Sequence, residues 1–166
     1  RFEETTELIG HMKLRLWVEA DGSDDMDLFV GIQKLDRDGE LVPFPFFATF
    51  DDGNVALGWL RVSHRELDEK RSTPEQPWLL HQRELMLKPG EIVLVDIEIW
   101  PAGTHFAAGE SLRVVVKGND INKYPPELFA NRHDSARNRG QHVIHTGGKY
   151  DSHLLVPVIP GRGSAE

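Results

Sequence analysis

The sequence has no cysteine among its 166 residues, and this absence narrows the chemistry that the chain can perform. Disulfide bonds, thiol nucleophiles and cysteine-ligated metals are all excluded. A protein without cysteine suits the reducing cytoplasm, which is the compartment we expect. No run of about 18 apolar residues is present, and the pattern of a signal peptide is absent as well. The sequence therefore predicts no segment that crosses a membrane.

The charge and composition restrict the possible partners. Asp and Glu outnumber Lys and Arg by 27 to 19, so the formal net charge is −8. Such a chain is not expected to bind nucleic acid or an anionic membrane. Fifteen Gly, ten Pro and 39% hydrophobic residues indicate a loop-rich globular domain. We expect one domain over residues 1–166. Because the chain begins at Arg1 without methionine, we also expect it to be part of a longer protein.

Two segments with a period of two dominate the middle of the chain. In residues 91–100 aliphatic side chains alternate with carboxylates, and residues 112–117 alternate in the same way with cations. This period places one set of side chains on each face of a strand. We expect the two strands to pair, with the carboxylates opposite the cations. The predicted buried side chains are Val95, Ile97, Ile99, Leu112, Val114 and Val116. The predicted exposed ones are Asp96, Glu98, Arg113 and Lys117.

Similar alternation recurs along the rest of the chain. Further strands are predicted at residues 7–20, 26–33, 55–62, 79–87, 141–144 and 152–159. Turn signals such as Asp38-Gly39 separate them. Pro43 and Pro45 exclude a central strand in residues 41–50, because proline lacks the N–H donor. A capping-box pattern at residues 63–66 predicts a short helix. Many short strands with regular turns favour an antiparallel β-sandwich or barrel.

No catalytic residue is predicted. The G-x-S-x-G turn of serine hydrolases is absent. Residues 151–153 read Asp-Ser-His, but neighbours on a strand point to opposite faces and cannot form a triad. Asp96 and Glu98 share a face, as the carboxylates of glycosidases do. With Arg113 and Lys117 predicted opposite, we interpret that pair as a solvated ion-pair face.

Two groups of side chains are candidate metal ligands, and neither is predicted to bind metal. The candidate zinc ligands are His142, His145 and His153. The first two are three residues apart in a predicted strand and so face opposite sides of the sheet. The candidate calcium ligands are Asp21, Asp24, Asp25 and Asp27. We interpret that acidic cluster as a hydrophilic turn, and we predict no metal and no cofactor.

The aromatic residues leave two alternatives open. Residues 44–50 contain four Phe beside proline, namely Phe44, Phe46, Phe47 and Phe50. This segment could cover a second protein surface, or it could fold over the edge of its own sandwich. Trp59, Trp78 and Trp100 could form a platform on which sugars stack, although burial in the core is the commoner role of tryptophan.

Several motifs, in a fixed order, resemble one known family. They are GWLRVSHRELD at 58–68, STP at 72–74, PW at 77–78, LKPGE at 87–91, VDIEIWP at 95–101, FAAGESLR at 106–113, HVIH at 142–145 and SHLLVPVIP at 152–160. Together they resemble the C-terminal domain of the X-Pro dipeptidyl-peptidase and cocaine-esterase-like (CocE/NonD) hydrolases. The resemblance extends from about residue 7 to residue 160.

The resemblance implies both a fold and a partner. The fold would be a jelly-roll β-sandwich of the galactose-binding-like type. Catalysis would belong to a separate α/β-hydrolase domain with a Ser–Asp–His triad, located N-terminal to this chain. We expect an accessory domain that braces this catalytic domain and lines the entrance to its active site; the alternative is a carbohydrate-binding module.

Two irregular segments are the predicted surface toward that catalytic domain. Residues 44–50 are apolar and interrupted by proline, and residues 119–140 form a long loop with interface-type side chains. If both contact one partner, they lie on the same side of the sandwich. The predicted interdomain residues are Phe44, Phe46, Phe47, Tyr124, Phe129, Arg132 and Arg137.

Overall fold

The computed structural model describes residues 1–46, 50–122 and 137–160. These residues form β1 (Thr6–Asp21), β2 (Asp27–Leu35), β3 (Leu41–Val42), β4 (Phe44–Phe46), β5 (Phe50–Gly53), β6 (Ala56–Arg61), β7 (Val93–Phe106), β8 (Ser111–Lys117), β9 (Gln141–His145), β10 (His153–Leu155) and β11 (Val158–Ile159), with a 3-10 helix at Val62–His64. The predicted all-β fold is confirmed. Its assignment to the jelly-roll, galactose-binding-like type stays a prediction.

Long strands organise the main sheet into two layers. In the first layer β1 pairs with β7 along one edge and with β9, β10 and β11 along the other. In the second layer β2 lies between β6 and β8 and also pairs with β3. A pairing of Gly58 with Ile99 joins β6 to β7, so the layers belong to one curled antiparallel sheet. The short strands β4 and β5 pair with each other.

The core lies between the two layers and follows the predicted alternation. Alternate residues of β1 and β7 point inward, and so do those of β2 and β6. The inward side chains that are buried are Leu14, Leu16, Val18, Leu28, Val30, Ile32, Ala56, Leu60, Val95, Ile97 and Ile99. Removing this apolar surface from water is the main term that stabilises the fold.

The predicted pairing of residues 91–100 with 112–117 is wrong. β7 pairs with β1 and β6, whereas β8 pairs with β2. Asp96 is predicted to be exposed, but it is buried, with only 8% of its surface accessible. Arg15 lies opposite it on β1 and donates from Nε and Nη2 at 2.8 Å each. Lys13 Nζ lies 3.4 Å from the same carboxylate. Arg113, the predicted partner, instead donates to Gln33 at 2.9 Å.

Three further predictions are corrected by the structure. Val114 is 36% exposed, and Leu112 and Val116 are only partly buried, because the face of β8 lies at the margin of the core. Residues 79–87 form no strand beyond an isolated bridge at Leu79. The 3-10 helix begins at Val62 without a side-chain cap. Ser63 Oγ, the predicted cap, donates to Asp25 Oδ2 at 2.8 Å.

A bulge interrupts the long β1–β7 ladder near its middle. Met12 pairs with Ile99 and Gly10 pairs with Ala102, so His11 alone lies opposite Trp100 and Pro101. One extra residue on one strand defines a β-bulge, which bends the strand and re-aims its side chains. Gly10 has φ 137°, a value open to glycine and strained for other residues. The bulge leaves Trp100 at the surface.

The buried face of β7 provides the first test. Ile97→Ala should lower the free energy of unfolding by about 2–5 kcal/mol, because Ile97 is 0% exposed and its loss leaves a cavity. Val114→Ala, at a 36% exposed position, is the control and should cost under about 1 kcal/mol. Urea unfolding followed by tryptophan fluorescence measures both values. Equal losses would contradict the assignment of the core face.

Candidate interdomain surface

The strands β6 and β7 approach each other closely at Gly58. A Cβ atom at this position would lie 2.4 Å from the main-chain oxygen of Glu98, so only glycine fits. Gly58 pairs with Ile99, and the residues that follow them, Trp59 and Trp100, both lie on the outside of the sheet. The rings of Trp59 and Trp100 meet edge to face, with centroids 5.1 Å apart and planes at 67°. Aromatic rings favour this arrangement.

The tryptophan pair continues into the outer face of the second layer. Trp59 lies opposite Phe29 in the β2–β6 register, and Phe29 is only 4% exposed although it points away from the core. Trp100 is 61% exposed. We call Phe29, Trp59 and Trp100 the aromatic surface. Tryptophan with so much exposed area is enriched where proteins bind one another.

The chain that follows the phenylalanine segment meets the start of the long segment beside the aromatic surface. Asn54, which follows β5, donates from Nδ2 to Asn122 Oδ1 at 2.9 Å and accepts from Gln33 Nε2 at 2.9 Å. A Cβ atom on Gly31 would lie 3.0 Å from Ile121 Cγ2, so the chain before Asn122 packs directly on β2. The segment after residue 118 therefore leaves the sandwich beside Asn54, just after the end of β5.

The other end of the long segment is held to the start of β2. Asn138 accepts from the Asp27 N–H at 2.7 Å and donates to the carbonyl oxygens of Asp27 and Gly118 at 3.0 and 2.5 Å. The Asp27 carboxylate accepts from Arg61 Nε and Nη2 at 2.7 and 2.9 Å and from the Arg137 N–H at 3.0 Å. One amide side chain therefore links both ends of the segment to the sheet.

The electrostatics of this attachment favour an ionised carboxylate. Burial raises the pKa of Asp27. The hydrogen bonds from Arg61 and from the Arg137 N–H, together with the positive charges of the two arginine side chains, lower it by more than burial raises it. The pKa of Asp27 consequently lies below its ordinary value. The same contact raises the pKa of Arg61.

The structure places part of the predicted interdomain set. Phe44 is half-buried in β4, and Phe46 lies in the same strand. Arg137 is exposed and binds Asp27 through its main chain. Four members lie outside the described residues: Phe47, Tyr124, Phe129 and Arg132. Sequence reasoning missed the aromatic surface, although Trp100-Pro101 at the end of an alternating run is the kind of break at which a bulge turns a side chain outward.

The other candidate groups serve structural roles. Ser152 Oγ donates to the His145 carbonyl at 2.8 Å and accepts from the Trp17 N–H at 3.0 Å, so it is not paired with His153. His145 Nε2 lies 3.0 Å from Glu19. Asp25, from the acidic turn, accepts from the main-chain N–H groups of Met26 and Ser63 and from Ser63 Oγ. Within the described ranges, no cluster of His, Asp and Glu could hold a metal ion.

The three tryptophans do not form one platform. Trp59 and Trp100 meet edge to face, whereas the guanidinium of Arg71 covers the ring of Trp78 at 3.8 Å from its centroid. A cation on the ring face occupies the side on which a sugar would stack. No helix in the part of the chain that the structure describes is long and apolar enough to cross a bilayer.

Comparison with known proteins identifies close relatives. Residues 1–155 match the family model of the X-Pro dipeptidyl-peptidase C-terminal non-catalytic domain. Two crystal structures of a CocE/NonD family hydrolase from Staphylococcus aureus are 52% identical in sequence, with TM-scores of 0.92 and 0.91. The matches cover 96% and 95% of this chain but 29% of each of those chains. No curated protein matches the sequence.

Acidification tests the attachment at Asp27. Its folded-state pKa is lower than the ordinary 3.8, so its stabilising effect is present above pH 3.8 and lost as the pH falls through the folded value. Asp27→Asn should therefore lower the free energy of unfolding at pH 6 to 7, and this loss should shrink at lower pH. Asp38→Asn, in the exposed β2–β3 turn, is the control. Urea unfolding from pH 7 to below pH 3.8 measures the free energy of unfolding of both variants. For Asp27→Asn, a loss that grows on acidification would contradict the assignment.

Proposed function

Because the chain belongs to the family of X-Pro dipeptidyl-peptidase C-terminal non-catalytic domains, we propose that it is the accessory β-sandwich of a CocE/NonD-type serine hydrolase. The parent enzyme acts on X-Pro peptide bonds or on acyl esters. This chain braces the catalytic domain, an α/β-hydrolase domain that precedes it in the same polypeptide. We assign residues 1–166 to this one β-sandwich domain.

The aromatic surface is the observation that carries this proposal. Trp100 is 61% exposed and packs on the half-buried Trp59, an arrangement suited to burial against a second surface. Interfaces between domains of one chain bury roughly 600–1,500 Å², and a few tryptophans at their centre carry much of the binding energy. The chain spans only 29% of the solved relatives, which leaves ample polypeptide to supply that second surface.

The attachments of the two irregular segments extend this surface. Asn54 and Asn122 join the start of the long segment to the chain that leaves the phenylalanine segment. Asn138 holds the far end against β2. The long segment therefore begins at the outer face that carries the tryptophan pair, next to the chain that leaves the phenylalanine segment. We assign to this interface the interdomain residues predicted above, and we place the entrance to the active site beside them.

The first test concerns activity. The isolated 166-residue chain should hydrolyse neither X-Pro p-nitroanilides nor p-nitrophenyl esters, because it has no nucleophile turn and its Ser152 bonds the main chain. The full-length parent protein is the positive control, measured by release of the same chromophore. Turnover by the isolated chain that a serine-directed inhibitor abolishes would contradict an accessory role.

The second test locates the interface by hydrogen exchange. In the full-length parent, amide exchange in residues 53–61 and 118–140 should be slower than in the isolated chain, because the catalytic domain covers these segments. Residues 149–155, which include β10 beside β1 in the first layer, serve as the internal control, with equal exchange in both proteins. Protection confined to residues 149–155, or equal exchange throughout, would place the partner elsewhere or nowhere.

A further inference from the structure

The long segment crosses from one layer of the sandwich to the other, because it follows β8 in the second layer and precedes β9 in the first. Its two ends nevertheless meet. Asn138 Nδ2 donates to the Gly118 carbonyl at 2.5 Å, and the ring of His142 in β9 lies against the same glycine. We call Gly118, Asn138 and His142 the neck of the segment. Neither the family description nor the proposed interface assigns a role to His142.

Glycine at two positions allows the ends of the segment to pack so closely. A Cβ atom on Gly118 would lie 3.0 Å from Asn138 Nδ2 and 3.3 Å from His142 Cε1, so both side chains contact the glycine main chain. Gly140 has φ 67°, and a Cβ atom there would lie 1.9 Å from the main-chain oxygen of Asp21. The start of β9 therefore passes directly against the end of β1. A charge introduced into such a closely packed neck has little room to relax.

The β1–β9 register turns His142 toward the inside of the sandwich. His142 lies opposite Ala20, which is buried in the core, and residues directly opposite on antiparallel strands share a face. The imidazole is half-buried, and within the described ranges it forms no hydrogen bond or ion pair. His145, by contrast, lies opposite Trp17 on the outer face and has Glu19 at 3.0 Å. His142 is therefore a half-buried histidine whose proton would have no acceptor.

The charges around the neck leave a protonated His142 without a partner. Asp27 is the charged group that acts on the ring and raises its pKa, but burial lowers the pKa by more, so it lies below the ordinary 6.5. The Asp27 carboxylate is already bound by Arg61 and by the Arg137 N–H. Lys117 directs its ammonium to the main-chain oxygens of residues 120 and 121. The remaining charged side chains on the elements around the neck are exposed, namely Asp21, Arg137 and Arg139.

We propose that His142 is an acid-sensitive latch on the neck of the long segment. The neutral ring packs on Gly118 and leaves Asn138 bonded to β2. The protonated ring is solvated better by water than by the neck, so it moves outward and opens the neck. The ends of the segment, residues 118–122 and 137–140, then detach while the core stays folded. Opening would weaken the proposed interdomain interface in acid, but the latch belongs to the isolated chain and does not depend on the proposed function.

The pH window of the latch follows from the linkage between proton binding and opening. Because the closed neck lowers the pKa of His142 below 6.5, the open form binds more protons than the closed form. The closed neck is therefore stable above pH 6.5 and loses stability as the pH falls below that value. The pKa of Asp27 lies below 3.8, so loss of its charge belongs to a separate and more acidic window.

NMR of the full 166-residue chain between about pH 7.5 and pH 5 follows both the ring and the neck. The ring signals of His142 should titrate with a pKa below 6.5. The amides of Asp27 and Arg137, which donate to Asn138 and to the Asp27 carboxylate, report whether the neck is closed. Their protection against hydrogen exchange, corrected for the intrinsic rate at each pH, should fall about threefold to tenfold over this range.

Paired variants assign the pH dependence to one histidine. His142→Gln keeps a polar side chain but takes up no proton in this range, so protection of the two amides should change by less than about twofold. His105→Gln, at an exposed histidine of β7, is the matched control and should keep the full fall seen in the unaltered chain. Urea unfolding at neutral pH checks that both variants fold.

Three results would each overturn the proposal. They are a His142 pKa at or above 6.5, amides of Asp27 and Arg137 whose protection does not change over the range, and a fall in protection that persists in a folded His142→Gln variant. The first two measurements need no variant, so they decide the matter even if His142→Gln fails to fold.

Discussion

The ladder between β1 and β7 is the constraint on which the rest of the molecule depends. These two strands, Thr6–Asp21 and Val93–Phe106, supply much of the core and carry β9, β10 and β11 on the free edge of β1. The bulge opposite His11 divides the ladder into two segments and turns Trp100 outward. Trp17 stands at the other end of the ladder. The proposed interdomain surface therefore depends on the register of this one pair of strands.

Buried carboxylates join parts of the chain that are distant in sequence. Asp25, Asp27 and Asp96 are each at most 8% exposed, and each accepts several hydrogen bonds. Burial raises the pKa of Asp96, but Arg15 and Lys13 outweigh that effect and lower it overall. Leaving such a group unpaired would cost about 1–3 kcal/mol or more, so these contacts specify where the attached segments lie. For Asp27, the attached segment is the one that we assign to the interdomain interface.

The same carboxylates show where sequence reasoning stops. The alternation in residues 91–100 correctly places Val95, Ile97 and Ile99 in the core. It also places Asp96 on the opposite face, which is correct, but exposure of that face depends on what covers it. The cations of β1 lie opposite Asp96 because β1, distant in sequence, is the neighbouring strand. No local pattern distinguishes Lys13 and Arg15 from Arg113 and Lys117 as partners.

The amino-acid sequence by itself determined the long strands, the residues of β7 that face the core, the all-β class and, through its ordered motifs, the family. Side-chain alternation predicts the strands and their buried faces, since a period of two can be recognised from neighbouring residues alone. Only the tertiary structure decided which strands pair, why Gly58 must be glycine, and that Trp59 meets Trp100 while Trp17 meets Tyr150. Those contacts join residues far apart in sequence, and the packing of the whole sheet selects them from several equally alternating candidates.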